Sequence, residues 1–116
     1  MPFTARWTPE ARTTYDRLQA EALASLQNRA NNNKAKATQA EGLFKQVNKC
    51  VQLLAANPEH PGLHTHEYDS MQNPYDSSKK VFEAYVQNNT SGAYRVFWCY
   101  GPIQGELTII AITPHP

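Results

Sequence analysis

The chain has 116 residues, of which 41% are apolar and 18% are charged, and its net charge is only +1. These values are typical of one soluble globular domain spanning residues 1–116, and a chain of this size buries roughly two-thirds of its surface on folding. Apolar runs stay well below the ~20 residues that span a bilayer, and the first residues lack the pattern of a secretory signal, so both a membrane protein and an exported protein are disfavoured.

Cysteine usage and charge distribution narrow the class of protein further. Cys50 and Cys99 resemble small buried hydrophobic residues, which favours a reduced, cytoplasmic protein. Residues 1–56 carry eight lysines and arginines against four acidic residues, whereas residues 57–116 carry three against six. Proteins that bind nucleic acid usually concentrate positive charge beside the phosphates. In this chain the basic half is the half predicted to be helical.

The first half of the chain is typical of a strand followed by two helices. Apolar and polar side chains alternate over residues 3–7, which indicates a short, half-buried strand. Thr8, directly before a proline, has the pattern of a helix N-cap, and an apolar stripe at steps of three and four follows it. The asparagine-rich stretch 31–34 predicts a turn, and a second helical stripe then runs to a stop signal at residues 56–58.

The second half changes to a period of two. Apolar alternation over residues 81–86, 93–100 and 106–113 predicts three strands joined by tight turns, and a short strand is expected near residues 64–68. This order of elements predicts an α+β fold. An antiparallel or mixed sheet of four to five strands would be packed on one face by the N-terminal helical hairpin.

The first predicted hairpin places an arginine on the open face of the sheet. A hairpin centred near Thr90 puts Tyr85 opposite Arg95 and Glu83 opposite Phe97. The alternate residues of both strands are apolar and form the core face, so Arg95 and Tyr85 lie together on the other face. A slip of one residue in register would reverse this assignment.

The second predicted hairpin extends this group of residues. If it is centred on Ile103, Ala111 lies beside Arg95, and His115 reaches the same neighbourhood as Tyr85. A guanidinium that forks onto phosphate oxygens, beside an imidazole that exchanges protons near neutral pH, suits phosphoryl chemistry. The same register exposes an apolar patch that suits a protein partner better than water, formed by Phe97, Leu107 and Ile109.

Simpler interpretations exist for the same residues. Arg95 would gain ~0–1 kcal/mol from a surface ion pair with Glu83, and His115 is a penultimate residue of the kind that is often disordered. The motif HTH would place His64 and His66 on one face of a strand, an arrangement that zinc accepts. Neither a carboxylate nor a cysteine stands at a diagnostic spacing from these histidines, which disfavours the zinc site.

Three stretches of the sequence resemble a known family. They are FTARWTPEA, LLAANPEHPGLHTHEY and YRVFWCYGPIQGELTIIAITPH, and they are similar to segments of the RelE/ParE superfamily, the toxins of bacterial type II toxin–antitoxin pairs. The resemblance implies the α+β fold described above and a cytoplasmic bacterial protein whose partner is an antitoxin, with a homodimer as a further option. Many such members are endoribonucleases that cut messenger RNA, often on the ribosome.

The resemblance also implies roles for individual residues. Arg95 would neutralise the scissile phosphate, and His115 would protonate the leaving oxygen when the ribose 2′-hydroxyl attacks. Tyr85, with His64 or His66, would position the RNA. This chemistry requires neither a metal nor a cofactor. The remaining candidates for substrate binding are two neighbouring lysines, Lys79 and Lys80.

Departures from the family pattern favour an alternative function. Residues 83–85 are Glu, Ala and Tyr where the family usually carries basic residues, and the sheet half of the chain is acidic. A non-enzymatic relative on the same scaffold would bind a protein, as the gyrase-inhibiting branch of the superfamily does, or use this face to dimerise. The charge around Arg95 separates the hypotheses, because a ribonuclease should gather several cations there.

Overall fold

Two helices pack on one face of a mixed five-stranded sheet in the computed structural model, which describes residues 2–31, 36–87 and 92–115. The sheet has the strand order β1-β5-β4-β3-β2, in which β1 is parallel to β5 and the other pairs are antiparallel. The predicted α+β architecture is therefore confirmed. In chain order the elements are β1 (Thr4–Trp7), α1 (Pro9–Ala30), α2 (Gln39–Ala56), a 3-10 turn (Pro61–Leu63), β2 (His66–Glu67), β3 (Phe82–Tyr85), β4 (Tyr94–Tyr100) and β5 (Glu106–Pro114).

Threonine side chains begin both helices. Thr8 Oγ1 accepts a hydrogen bond from the backbone N–H of Ala11, and Thr38 forms a reciprocal capping box with Glu41. The N-cap predicted at Thr8 is confirmed. The turn predicted at residues 31–34 lies mostly outside the described residues. Within the described parts of the chain, none of the helices combines the length and apolar character that crossing a membrane requires.

The core lies between the helices and the sheet. It is formed by α1, α2 and the alternate side chains of the central strands, so the predicted core face of β3 and β4 is confirmed. The hairpin register is also as predicted, with Tyr85 opposite Arg95 and Glu83 opposite Phe97. The fully or nearly fully buried members of this core include Leu18, Val47, Leu54, Ala84, Val96, Trp98, Leu107, Ile109 and Ile112.

The register of the second hairpin differs from the predicted one by one residue at the turn, where Tyr100 lies opposite Leu107, and by a second residue beyond a bulge in β5. Arg95 lies opposite Thr113 rather than Ala111, and Trp98 lies opposite Ile109. One extra residue, Ile110, therefore stands in β5 between the two paired segments. The bulge is tied to the first helix, because the Ile110 carbonyl accepts a hydrogen bond from the Thr8 hydroxyl at 2.7 Å.

The bulge also overturns the predicted apolar patch on the open face. Because the extra residue reverses the alternation of β5, Leu107 and Ile109 point into the core beneath the helices and are both 0% exposed. Phe97 does lie on the open face, but it is 1% exposed, and the ring of Tyr68 lies across it with a centroid separation of 4.7 Å. The open face therefore does not present these three residues to a partner.

Candidate functional site

A buried carboxylate lies at the centre of the open face of the sheet. Glu83 in β3 is 1% exposed, and it accepts hydrogen bonds from His66 Nε2 at 2.7 Å and from His115 Nδ1 at 2.9 Å. The strand register supplies the first contact, because His66 pairs with Glu83 across β2 and β3. A carboxylate withdrawn from water needs such donors, since burying an unpaired charge is strongly unfavourable.

His115 is held at the end of β5 by two contacts. Its backbone N–H donates to the carbonyl oxygen of Ala93 at 2.7 Å, and its Nδ1 donates to Glu83. The Glu83 contact fixes the imidazole so that Nε2 is the nitrogen left for proton exchange, while the side chain stays 43% exposed. His115 is thus an ordered residue with the geometry of a general acid or base.

Both ring nitrogens of His66 are engaged. Nε2 contacts Glu83, and Nδ1 lies 3.1 Å from the backbone carbonyl oxygen of His64. The two partner oxygens can only accept hydrogen bonds, so both ring nitrogens of His66 are occupied by contacts within the protein. His66 therefore acts as a fixed donor to the site and is poorly placed to exchange protons with a substrate.

Arg95 lies on the open face, as predicted, but it lies beneath Tyr85. Its guanidinium carbon is 3.8 Å from the centroid of the Tyr85 ring, and the residue is only 1% exposed. Nη1 donates to the backbone carbonyl oxygens of Tyr94 at 2.9 Å and Gln87 at 3.2 Å. In this arrangement the guanidinium supplies charge and packing from below the surface, and the Tyr85 ring is the group that faces outward.

His64 completes the group from a different local structure than predicted. It follows the 3-10 turn with φ of 49°, in the left-handed region, and lies outside β2, so the expectation that His64 and His66 share one face of a strand is wrong. The rings of His64 and His66 lie 5.2 and 5.9 Å from the Tyr85 ring. The structure thereby brings five predicted residues into one group with Glu83: His64, His66, Tyr85, Arg95 and His115.

Lys79 and Lys80 lie apart from this group. They belong to the long segment before β3, where both line a different cavity close to the β4–β5 turn. Lys80 Nζ lies 2.6 Å from a carboxylate oxygen of Glu67, and this hydrogen bond raises the pKa of the lysine. Both side chains are exposed, as a solvated charge run would be.

The structure also describes the surroundings of the histidines considered for a zinc site. Within the described ranges, His, Cys, Asp and Glu side chains form no cluster of three suited to a metal ion. His60, close by in the chain, caps the 3-10 turn, because its Nδ1 accepts a hydrogen bond from the Gly62 N–H at 2.9 Å. Cys50 and Cys99 are buried free thiols, as predicted.

Glu83 is the functional candidate that sequence reasoning assigned to another role. It was expected only as a surface partner of Arg95 or as a departure from a basic family pattern. The signal in the sequence is its position on the strand, since Glu83 stands between two apolar residues and opposite Phe97. The two histidines that bind it are 17 residues before it and 32 residues after it, too distant for a local motif.

Comparison with known proteins identifies the fold. Neither a protein-family model nor a curated protein matches the chain. A solved YoeB/ParE toxin from Agrobacterium tumefaciens superposes with a TM-score of 0.58 at 12% sequence identity, covering 97% of this chain and 99% of that one. The chain has the YoeB/ParE toxin fold.

A second solved structure agrees with this assignment. The YoeB dimer from Staphylococcus aureus superposes with a TM-score of 0.57 at 9% identity, and all of both chains is covered. The fold expected from the resemblance to RelE/ParE toxins is thus confirmed. At these identities the similarity concerns the arrangement of helices and strands, and the chemistry of the site rests on this chain's own residues.

Proposed function

We propose that this chain is the toxin-like partner of a toxin–antitoxin pair and acts as a metal-independent endoribonuclease on messenger RNA. The observation that carries the proposal is the Glu83–His115 hydrogen bond, which orients an exposed imidazole on the open face of a YoeB/ParE toxin fold. A carboxylate that holds Nδ1 of a histidine also stabilises the imidazolium formed during proton transfer.

The proposed reaction is attack of a ribose 2′-oxygen on the adjacent phosphorus. The bond from phosphorus to the 5′-oxygen breaks, which yields a 2′,3′-cyclic phosphate and a free 5′-hydroxyl. The His115 imidazolium donates its Nε2 proton to the departing 5′-oxygen, and Glu83 holds the ring throughout. His64 is the candidate that accepts the 2′-hydroxyl proton, because its ring makes no hydrogen bond within the described residues.

The remaining site residues would bind and orient the RNA. Tyr85 presents a ring on which a base can stack, and the Arg95 charge beneath it favours a phosphate nearby. His66, engaged at both nitrogens, would fix the position of Glu83. The two exposed lysines would contact flanking phosphates outside this group, at Lys79 and Lys80.

The competing hypothesis of a non-enzymatic binding protein has lost its main support. It depended on an exposed apolar patch, and Phe97, Leu107 and Ile109 are all buried. The acidic sheet half is partly accounted for by Glu83, whose carboxylate accepts hydrogen bonds from two imidazoles. The cations expected around Arg95 are fewer than a ribonuclease should gather, because Lys79 and Lys80 lie apart from it, so the proposal depends on proton transfer by the histidines rather than on positive charge.

The proposed partners are an antitoxin or a second copy of the chain, besides the messenger RNA on the ribosome, and the proposed location is the bacterial cytoplasm. The Staphylococcus aureus structure is described as a dimer. Leu23 and Leu26 on α1 are 52% and 47% exposed, and a protein partner would remove this apolar surface from water.

The test is induced expression of the chain in bacteria beside a His115→Ala variant, with RNA 5′ ends mapped in both cultures. We expect growth arrest with new 5′-hydroxyl ends, and a loss of about 10²–10⁴-fold in cleavage for the variant. His115 is suited to this test because its side chain is half-exposed at the end of the last strand, so its removal should spare the fold. Gln52→Ala, an exposed position on α2, is the control that should cleave normally.

Two results would contradict the proposal. Arrest without new RNA ends would indicate a protein target. Normal growth with well-expressed, folded protein would remove the toxin assignment and leave only the fold.

A further inference from the structure

A cavity of about 440 Å³ lies between the loop at residues 58–65 and the strands β3 and β4. Its floor is formed by Phe82 and Trp98, whose rings stack at 4.9 Å on the side of the sheet that faces the helices. Tyr100 packs edge-on against both rings, and the loop at residues 58–65 forms the opposite wall.

Two buried polar atoms in the residues that line this cavity lack partners. Within the described part of the chain, neither the Trp98 indole Nε1 nor the Thr65 hydroxyl oxygen has a hydrogen bond. Trp98 is 1% exposed, so its N–H has been withdrawn from water without compensation. Buried donors are nearly always satisfied, and leaving one unpaired is costly, so two such atoms in residues that line one cavity point to a bound group that satisfies them.

The lining restricts the chemistry of that group. The aromatic floor and two prolines, Pro58 and Pro61, favour a flat ring. The indole N–H only donates, so the buried edge of the ring must carry an acceptor. Glu59 lies at the same cavity and, after burial, is the second cause of the raised pKa of Tyr100. A carboxylate at this position favours a ligand with an amino donor on its outer edge and disfavours an anionic ligand.

We infer that this cavity binds one nucleobase of the RNA, an inference that rests on the proposed function. A nucleobase combines a flat ring with a carbonyl or ring-nitrogen acceptor, and in three of the four bases also an amino donor. His64 joins the two regions, because it lines the cavity and its ring lies 5.2 Å from Tyr85 at the catalytic site. The base bound here would lie close to the cleaved phosphate and would set the sequence preference of the enzyme.

Nuclear magnetic resonance of the indole N–H groups tests the inference directly. The probes are 2′-O-methyl trinucleotides of adenine, cytosine, guanine and uracil, which bind but cannot be cleaved because the attacking hydroxyl is blocked. We expect the Trp98 indole resonance to shift with a preference among the four bases. Trp7 in β1, the other tryptophan of the chain, lies outside the cavity and should not shift.

Thr65→Val supplies a variant that separates binding from folding. Removing an unpaired buried hydroxyl should leave the fold at least as stable, whereas the affinity for the preferred trinucleotide should fall about tenfold. Trp98→Phe should lower the affinity similarly while keeping an aromatic floor. Trp7→Phe is the matched control and should bind normally.

The inference fails if the Trp98 resonance stays unchanged with every trinucleotide, or if Thr65→Val binds as well as the native chain. A crystal structure with only an ordered water against Trp98 Nε1 in the presence of the trinucleotide would also overturn it. Cleavage without occupation of the cavity would refute this inference alone. Occupation of the cavity without any cleavage by the native chain would refute the proposed ribonuclease and leave the base site in place.

Discussion

The Glu83 carboxylate accepts a hydrogen bond from Nδ1 of His115 at 2.9 Å, although the carboxylate is buried and the imidazole is half-exposed. The pair joins a central strand to the end of the last strand. It gives the imidazole that follows β5 a fixed orientation. The consequence is an imidazole with one nitrogen anchored inside the protein and the other facing the solvent.

The first prediction concerns that pair. Glu83→Gln keeps the size of the side chain but removes the charge that stabilises the His115 imidazolium, so RNA cleavage should fall by about 10²-fold or more. The loss should appear in kcat and leave KM nearly unchanged, because Glu83 is buried and acts through His115. Initial rates of cleavage of a short RNA, measured under multiple turnover at varied RNA concentration, give both quantities. Glu21→Gln, at an exposed ion pair on α1, is the control, and an equal loss in both variants would contradict the prediction.

The sequence was sufficient to predict the architecture and the pairing of Tyr85 with Arg95. Strand alternation and tight turns are local signals, and the core face of β3 and β4 is unmistakably apolar. The burial of Arg95 could not be predicted, because it depends on Tyr85 lying across the guanidinium. Strand alternation assigns a side chain to a face of the sheet but does not tell what covers that face.

The bulge at Ile110 marks the other limit of sequence reasoning. A single inserted residue reversed the faces of Leu107 and Ile109, and its signal is an apolar run without clear alternation. Its position is set by contact with Thr8, over 100 residues earlier in the chain. The Glu83 cluster was missed for a similar reason, since its histidines come from β2 and from the residue after β5.

A second prediction concerns Arg95 beneath Tyr85. Arg95→Lys should lower the free energy of unfolding by about 1–3 kcal/mol, because an ammonium group cannot both stack on the ring and donate to two carbonyl oxygens. Urea unfolding at neutral pH measures the change. Arg12→Lys is the matched control, because Arg12 also lies over aromatic rings but is exposed, and it should change stability by at most about 0.5 kcal/mol. Equal stability in the native chain and Arg95→Lys would show that the arginine has no structural role.

A third prediction follows from the ion pair between the helices. Hydrogen bonding to Arg29 lowers the pKa of Glu41 from 4.5 to about 2, and Ser25 and the Thr38 backbone contribute further. Because the folded pKa lies below the unfolded one, the stabilisation is present above pH 4.5 and is lost as the pH falls toward 2. Glu41→Gln should therefore be less stable than the native chain at pH 7, with a difference that shrinks across this window.

Thermal unfolding measured from pH 7 to pH 2 checks the Glu41 prediction. Glu21→Gln serves as the control because the Arg17–Glu21 pair is exposed on a single helix and should contribute little at any pH. A constant difference between native chain and Glu41→Gln across the whole range would contradict the assignment.

A fourth prediction concerns the two thiols. Burial raises the pKa of Cys50 to about 12 and that of Cys99 to about 11, and only the thiolate reacts with alkylating agents. At pH 8 neither residue should be modified by iodoacetamide in the folded protein, whereas both should react in urea. Mass spectrometry over time gives the two rates. Native-state labelling at the rate of a free cysteine would show that the sheet or helix around that residue opens readily.

The last prediction concerns the exposed leucines of α1. Leu23 and Leu26 lie three residues apart on one helix face, and we expect them to form the contact between two copies of the chain. Removing such apolar surface from water gives roughly 25 cal/mol per Å², so a charge placed there should abolish association. The double variant Leu23→Glu/Leu26→Glu should be monomeric at tens of micromolar, where the native chain should be dimeric by light scattering.

Ile103→Glu, at the 63% exposed tip of the β4–β5 turn, is the control that should stay dimeric. A monomeric native chain would indicate that these leucines contact an antitoxin instead of a second copy. A double variant that remains dimeric would show that the contact between copies lies elsewhere on the surface.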